Sequence, residues 1–365
     1  MLTLSEGIEP DLRGARQTDA LSRLAAETAN LRAALAWTLE SGGDPDIGLR
    51  LTASLAWFWE SRGQVSEGRT WLIRALQREG SSPVIRMRAL CGAGWMAHIQ
   101  QDGSAATSLL DEALGLARET AERWWESWIL HLLGRVAYFN GDTEHAMQYA
   151  SQCLTIADDL DDPWLIAWGY HLLGLASFIA DDPATARSHL ERSLALREEI
   201  GYPEGICLMK GLLGVISLSE GDDRGALKLL NEGLSIGREL GANWMVINWI
   251  ANMVLIAARH GEPERAARLA GFAQSMSATT GAFPIPITSA TLHQGIESAR
   301  SQLPGAHYQE WDAEGRSMST DEAIQDALAL EIAFEDESGS SDDAFPVRAE
   351  PGTSESPETD RDSTY

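Results

Sequence analysis

Two histidines, His131 and His171, lie forty residues apart, each among aromatic and cationic residues at helical spacing. Trp128, Arg135 and Tyr138 surround the first, and Trp168, Leu175 and Phe178 surround the second in the same register. One period earlier, Arg88, Trp95 and His98 fill the equivalent places. A histidine pair in one column suggests a metal, but no carboxylate or thiol stands at ligand spacing and no His-Glu-x-x-His occurs. A packed neutral imidazole or a hydrogen bond is the better reading. Nucleophilic catalysis also lacks a basis, since no serine lies in a Gly-x-Ser-x-Gly context. The paired acids Asp158-Asp159 and Asp161-Asp162 sit at a helix end and a turn, where capping explains them. Neither a catalytic residue, nor a metal site, nor a cofactor is therefore expected. What remains is recognition, because aromatic and apolar side chains with a few cations suit a peptide or small amphipathic effector.

The elements that must position these residues share the forty-residue period. Gly94, Gly134, Gly174 and Gly214 each interrupt a run that otherwise reads as a helix, and Ala106, Ala146, Ala186 and Ala226 form a second column. A glycine inside a helix costs about 1 kcal/mol relative to alanine, so its recurrence at one phase implies a contact with no room for a side chain. Gly141-Asp142, Asp181-Asp182 and Gly221-Asp222 supply a turn and an N-cap between two helices. Each unit thus reads as helix A, a tight turn, helix B and a short return. The glycine and the alanine mark where the two helices cross most closely. Helix A is expected at about 84–99, 124–139, 164–179, 204–219 and 244–259, with Val254 replacing glycine in the last.

This pattern predicts an all-α chain folded as a right-handed α-α superhelix, in which stacked hairpins share one continuous core. Residues 1–18 read as a flexible N-terminus, and 19–80 as lead-in helices with a first irregular hairpin. Within that lead-in, 19–40 is expected as one helix, followed by a pair at about 46–60 and 65–78. Five units occupy 81–280, and 281–334 form a cap with helices at about 288–302 and 319–332. The segment 335–365 is rich in Ser, Pro, Gly and acid, and is expected to be disordered. The formal net charge is −26, and residues 331–365 carry eleven acids against two arginines. So acidic a chain repels phosphate backbones, which argues against direct nucleic-acid binding. The three cysteines, in separate units, read as small buried residues of a reducing compartment. With neither a leader-like N-terminus nor a membrane-length apolar run, the chain is expected in the cytoplasm.

Leu133-Gly134, Gly141-Asp142, Ala146 and Cys153 together resemble the tetratricopeptide repeat (TPR) pattern, with a longer unit of forty residues. That longer form resembles the repeat region of large ATP-dependent bacterial transcription regulators of the maltose-regulator and LuxR types. Glu27-Thr28-Ala29-Asn30-Leu31-Arg32-Ala33-Ala34-Leu35-Ala36-Trp37 is similar to the segment that opens such regions. Trp311-Asp312-Ala313-Glu314-Gly315-Arg316-Ser317-Met318-Ser319 is similar to the one that closes them. The resemblance covers about residues 20–330. It does not extend to a phosphate loop or a helix-turn-helix, so the chain looks like the sensor arm alone, whether a stand-alone protein, a split product or one read from an internal start.

In a TPR array the inner face of helix A lines a concave groove. By that resemblance Arg88, Trp95, His98, Trp128, His131, Arg135, Tyr138, Trp168, His171, Leu175 and Phe178 are the groove residues. Two readings stand open: a tightly wound superhelix buries this stripe as packing, or the stripe receives a partner. The leading functional expectation is a non-enzymatic interaction module binding a protein, peptide or effector, acting in signalling or transcription control through a separate ATPase or DNA-binding partner. A generic assembly scaffold and a small-molecule sensor are the alternatives.

Overall fold

The computed structural model describes residues 1–40, 44–78, 80–280 and 285–331, in which the regular elements are all helices. The chain opens with α1 (Leu2–Ile8), a 3-10 turn (Glu9–Arg13), α2 (Gln17–Ala26) and α3 (Thr28–Glu40). Then come α4 (Pro45–Ser54), the short α5 (Ala56–Ser61) and α6 (Val65–Leu76). Five hairpins follow: α7 (Pro83–Ile99) with α8 (Gly103–Glu119), α9 (Arg123–Phe139) with α10 (Thr143–Asp159), and α11 (Pro163–Ile179) with α12 (Pro183–Glu199). The last two are α13 (Pro203–Ser219) with α14 (Asp223–Leu240), and α15 (Asn243–Arg259) with α16 (Pro263–Thr280). Three helices close the array: α17 (Pro286–Gln302), α18 (Gly305–Ser317) and α19 (Thr320–Leu328). The first helices of the hairpins are buried on nearly every face and form an inner layer. Their partners bury one stripe each and form an outer layer.

Local chemistry sets the hairpins. Asp102, Asp142, Asp182 and Asp222 each accept a backbone amide in the first turn of the second helix, and Asp162 accepts two at the start of α11. Gly141 and Gly221 take φ of +73° and +80° at the turn, and Gln101 and Asp181 adopt the same left-handed backbone without being glycine. The glycine column faces the second helix of its own hairpin. A Cβ on Gly94, Gly174 or Gly214 would lie 2.7, 2.7 or 3.0 Å from Leu110, Leu190 or Leu230, and 3.3–3.4 Å from the carbonyl of Ala106, Ala186 or Ala226. Gly134 differs. Its helical partner carries Ala150 where the others carry leucine, so the space is filled by Leu172 of the next hairpin and by Tyr149.

Several expectations need correction. The N-terminus is not a flexible lead, because Ser5, Ile8, Glu9, Leu12 and Gln17 are buried against residues far along the chain. Residues 17–40 are two helices, interrupted at Glu27 where the Thr28 hydroxyl bonds the Ala25 carbonyl. The expected helix over 46–60 likewise breaks at Leu55, after Thr52 and Ser54 turn their hydroxyls onto preceding carbonyls. Between the two expected capping helices lies α18, unexpected, whose backbone meets α16 at Gly271 and Gly315, where any Cβ would strike the opposing main chain. Val254 occupies the glycine column of the last hairpin, and Gly295 of α17 lies so close to the main chain of Val254 and Leu255 that a Cβ there would come within 2.9 Å of it. The segment 335–365 and the break at Gly281-Ala282-Phe283-Pro284 lie outside the described residues. No helix among the described residues is long and apolar enough to cross a membrane.

Candidate functional site inside the superhelix

The inner layer brings the predicted stripe together, but over most of its length as packing. Trp95, His98, Trp128, His131, Trp168, His171 and Leu175 are buried. The space between them is filled from α5: Trp57 lies 4.4 Å from Trp95, 4.9 Å from Trp128 and 5.4 Å from Trp164, centroid to centroid. His131 stacks on Trp128 at 5.1 Å and sits 5.7 Å from His171. Burial holds His98, His131 and His171 far below the ordinary imidazole value, so all three are neutral rings in an aromatic core. Among the described residues no group of three or more His, Cys, Asp or Glu is arranged to hold a metal ion. Cys153 and Cys207, pushed up to about 12 by burial, are packing thiols, as is the buried Cys91.

Charge is buried in this core as well. Ser61 Oγ donates to Glu204 at 2.9 Å, Gln17 Nε2 donates to the same oxygen, and Glu60 shares a hydrogen bond with Glu204. Desolvation raises both carboxyls, and the neighbouring Glu204 raises Glu60 further, so Glu60 carries the shared proton. Arg135, itself desolvated, is drawn toward Glu60. Arg197 is entirely buried, brought down to about 10 by desolvation, with its guanidinium 4.0 Å over Trp168 and its two terminal nitrogens unbonded. Glu60, Arg135 and Glu204 line a cavity of about 20 Å³, room for a single water.

Beyond the aromatic core the interior opens. A cavity of about 510 Å³ lies among α9, α11, α13, α15 and α17, walled by Tyr138, Phe178, Val215, Leu218, Leu255 and Ile287, with Ser219, Thr291 and Gln294 supplying polar groups. Tyr138, Phe178 and Leu218 stand four residues after the column glycines Gly134, Gly174 and Gly214. In these three hairpins that position lines the cavity, whereas His98, four residues after Gly94, packs on Phe139, and His131 and His171, three residues before their glycines, sit in the aromatic core. Tyr138 is 2% exposed, and its hydroxyl, facing the Ile287 backbone, makes no hydrogen bond of ordinary geometry.

Sequence reasoning missed a further column. Trp124, Trp164, Glu204 and Trp244 stand ten residues before Gly134, Gly174, Gly214 and Val254. Three tryptophans and one acid at a fixed phase were the available signal. Trp164 and Glu204 enter the core directly, and Arg13 lies 4.5 Å over Trp124.

The fold is that of the TPR-like repeat proteins. A Rap protein complexed with Competence and Sporulation Factor superposes with a TM-score of 0.56 at 11% identity, covering 89% of this chain and 99% of that one. Aspartyl phosphate phosphatase F from Bacillus subtilis gives 0.54 at 12%, covering 88% and 95%. The Rap conjugation gene regulator of plasmid pLS20, in complex with the Phr* peptide, gives 0.52 at 13%, covering 78% and 77%. At such identities the likeness is one of fold. No protein-family model and no curated protein matches the sequence.

Proposed function

We propose that the chain is a regulatory interaction module that takes a peptide segment of a partner into the chamber beside Tyr138. The observation that carries this reading is the coincidence of a cavity of about 510 Å³ with a buried phenol whose hydroxyl meets the Ile287 backbone in poor geometry. The volume falls within the roughly 300–1,000 Å³ of ligand pockets. A ligand carbonyl would give that hydroxyl a well-aligned acceptor for its proton. The apolar walls suit short aliphatic or aromatic side chains, and the polar groups suit a peptide backbone. Among structures of like fold, one is complexed with Competence and Sporulation Factor and another with the Phr* peptide, which supports a peptide over other ligands. The resemblance over residues 20–330 supports a role in bacterial signalling or transcription control, in the cytoplasm, through a partner that supplies ATPase or DNA-binding function.

A thermal-shift screen of the full chain against a library of short synthetic peptides tests the proposal. A peptide held at 100 times its dissociation constant adds about 2.7 kcal/mol and raises the midpoint by several degrees. Tyr138→Phe should weaken every such hit. A library without a single stabilising peptide, or hits indifferent to Tyr138→Phe, would contradict the reading.

A further inference from the structure

The first seventeen residues run along the inner layer at the end away from the chamber, and they do so as a ligand would. The spacing is regular: Glu9, Arg13 and Gln17 are four residues apart, and each meets a complementary group on a different hairpin. Glu9 accepts from Arg88 of α7 at 2.6 and 2.7 Å. The Arg13 guanidinium lies 4.5 Å over Trp124 of α9 and 5.7 Å from the ring centre of Trp164 of α11, within the field of Asp162. Gln17 exchanges two hydrogen bonds with Glu204 of α13, through its side-chain amide and the Glu204 backbone amide.

Yet the fit is incomplete. Arg13 Nε and Arg88 Nε are buried without a partner. Both stand at the contact between the arm and the hairpins, and buried donors without a partner there mark an occupant whose fit is incomplete and which another segment could replace.

We propose that the strip formed by Arg88, Trp124, Trp164 and Glu204 is a second peptide-binding surface, and that Met1–Gln17 is its in-cis occupant. The partner it fits is an amphipathic segment presenting a carboxylate, a guanidinium and a carboxamide at four-residue intervals. An additional acid on that segment would satisfy the free nitrogen of Arg88. Because the strip shares no residue with the chamber, failure of either site leaves the other standing.

The test uses the full chain carrying Arg13→Ala and Gln17→Ala, which loosens the arm, and a synthetic peptide of residues 1–20 followed by tryptophan fluorescence. The peptide should bind this variant and perturb the emission of Trp124 and Trp164. A peptide with Glu9→Arg should bind at least about tenfold more weakly, and Arg88→Glu added to the protein should restore it. A second readout covers the case in which the double variant does not fold. On the wild-type protein, excess peptide should speed amide exchange over Leu2–Arg13 by competition. The proposal is overturned if the folded variant ignores the peptide, if charge reversal is not rescued by Arg88→Glu, or if wild-type exchange over the arm is unchanged.

Discussion

Gln17 and Glu204 stand 187 positions apart and hold each other at both ends, the Gln17 amide on the Glu204 carboxylate and the Glu204 backbone amide on Gln17 Oε1 at 3.1 Å. Through this pair the N-terminal arm reaches the fourth hairpin and closes one end of the interior. The other end stays open at the chamber. The stripe predicted as a groove therefore divides into a filled part around Trp128 and an open part around Tyr138.

The crossing of each hairpin should be intolerant of bulk. A Cβ on Gly174 already falls 2.7 Å from Leu190 and 3.3 Å from the Ala186 carbonyl, and leucine adds three carbons beyond it. Gly174→Leu should destabilise by about 1–3 kcal/mol, measured as the denaturation midpoint. A variant melting with the wild type would show that the helices do not cross there.

At Ala121 the expectation is the reverse. Its φ of +57° places an L-residue in the left-handed region with no side-chain hydrogen bond in return. Ala121→Gly should stabilise by about 0.5–1 kcal/mol, the relief of strain outweighing the added freedom of the unfolded chain. Gly141, at the equivalent strained backbone, should lose stability when changed to alanine.

These two sites also show what the sequence could reveal. The forty-residue phase of the glycines, alanines and aspartates is local, and it marks the hairpins and their crossing. Gly134 breaks the rule only because Ala150 replaces leucine, a difference visible in the sequence but interpretable only with Leu172 in place. The contacts of Glu9 with Arg88, and of Gln17 with Glu204, carry no local signal. They join segments that periodicity cannot relate, which is why the arm reads as a tail. The tryptophan column at 124, 164 and 244 was visible, and its meaning depended on Trp57 and Arg13, which come from outside the repeat.

Stability should fall on acidification below the ordinary imidazole value of 6.5. His98, His131 and His171 are held neutral when folded, so the unfolded chain binds more protons below that value. Each contributes up to about 1.4 kcal/mol per pH unit. Urea midpoints measured from pH 6.5 to 5 should therefore drop steeply, and His131→Phe should reduce the slope by one histidine's share. An unchanged slope would mean that His131 titrates freely in the fold.

The Glu60–Glu204 pair gives the opposite sign. Glu60 is raised when folded, so above its ordinary 4.5 the folded protein retains a proton that the unfolded chain releases, and stability declines as the pH rises toward the folded value. Glu60→Gln keeps a donor to Glu204 and removes that titration. It should stabilise the protein at pH 8 more than at pH 5; equal effects at both would place an ionised Glu60 in the core.

Filling the chamber tests the central claim most directly. Ala290 of α17 is exposed and lies on the chamber wall, so Ala290→Trp places an indole in the cavity while the hairpins remain intact. Calorimetric titration of the strongest stabilising peptide into wild type, Ala290→Trp and Arg88→Ala should show binding to the first and third, and none to the filled variant. Equal affinity for Ala290→Trp and wild type would contradict the account and place the peptide elsewhere on the protein.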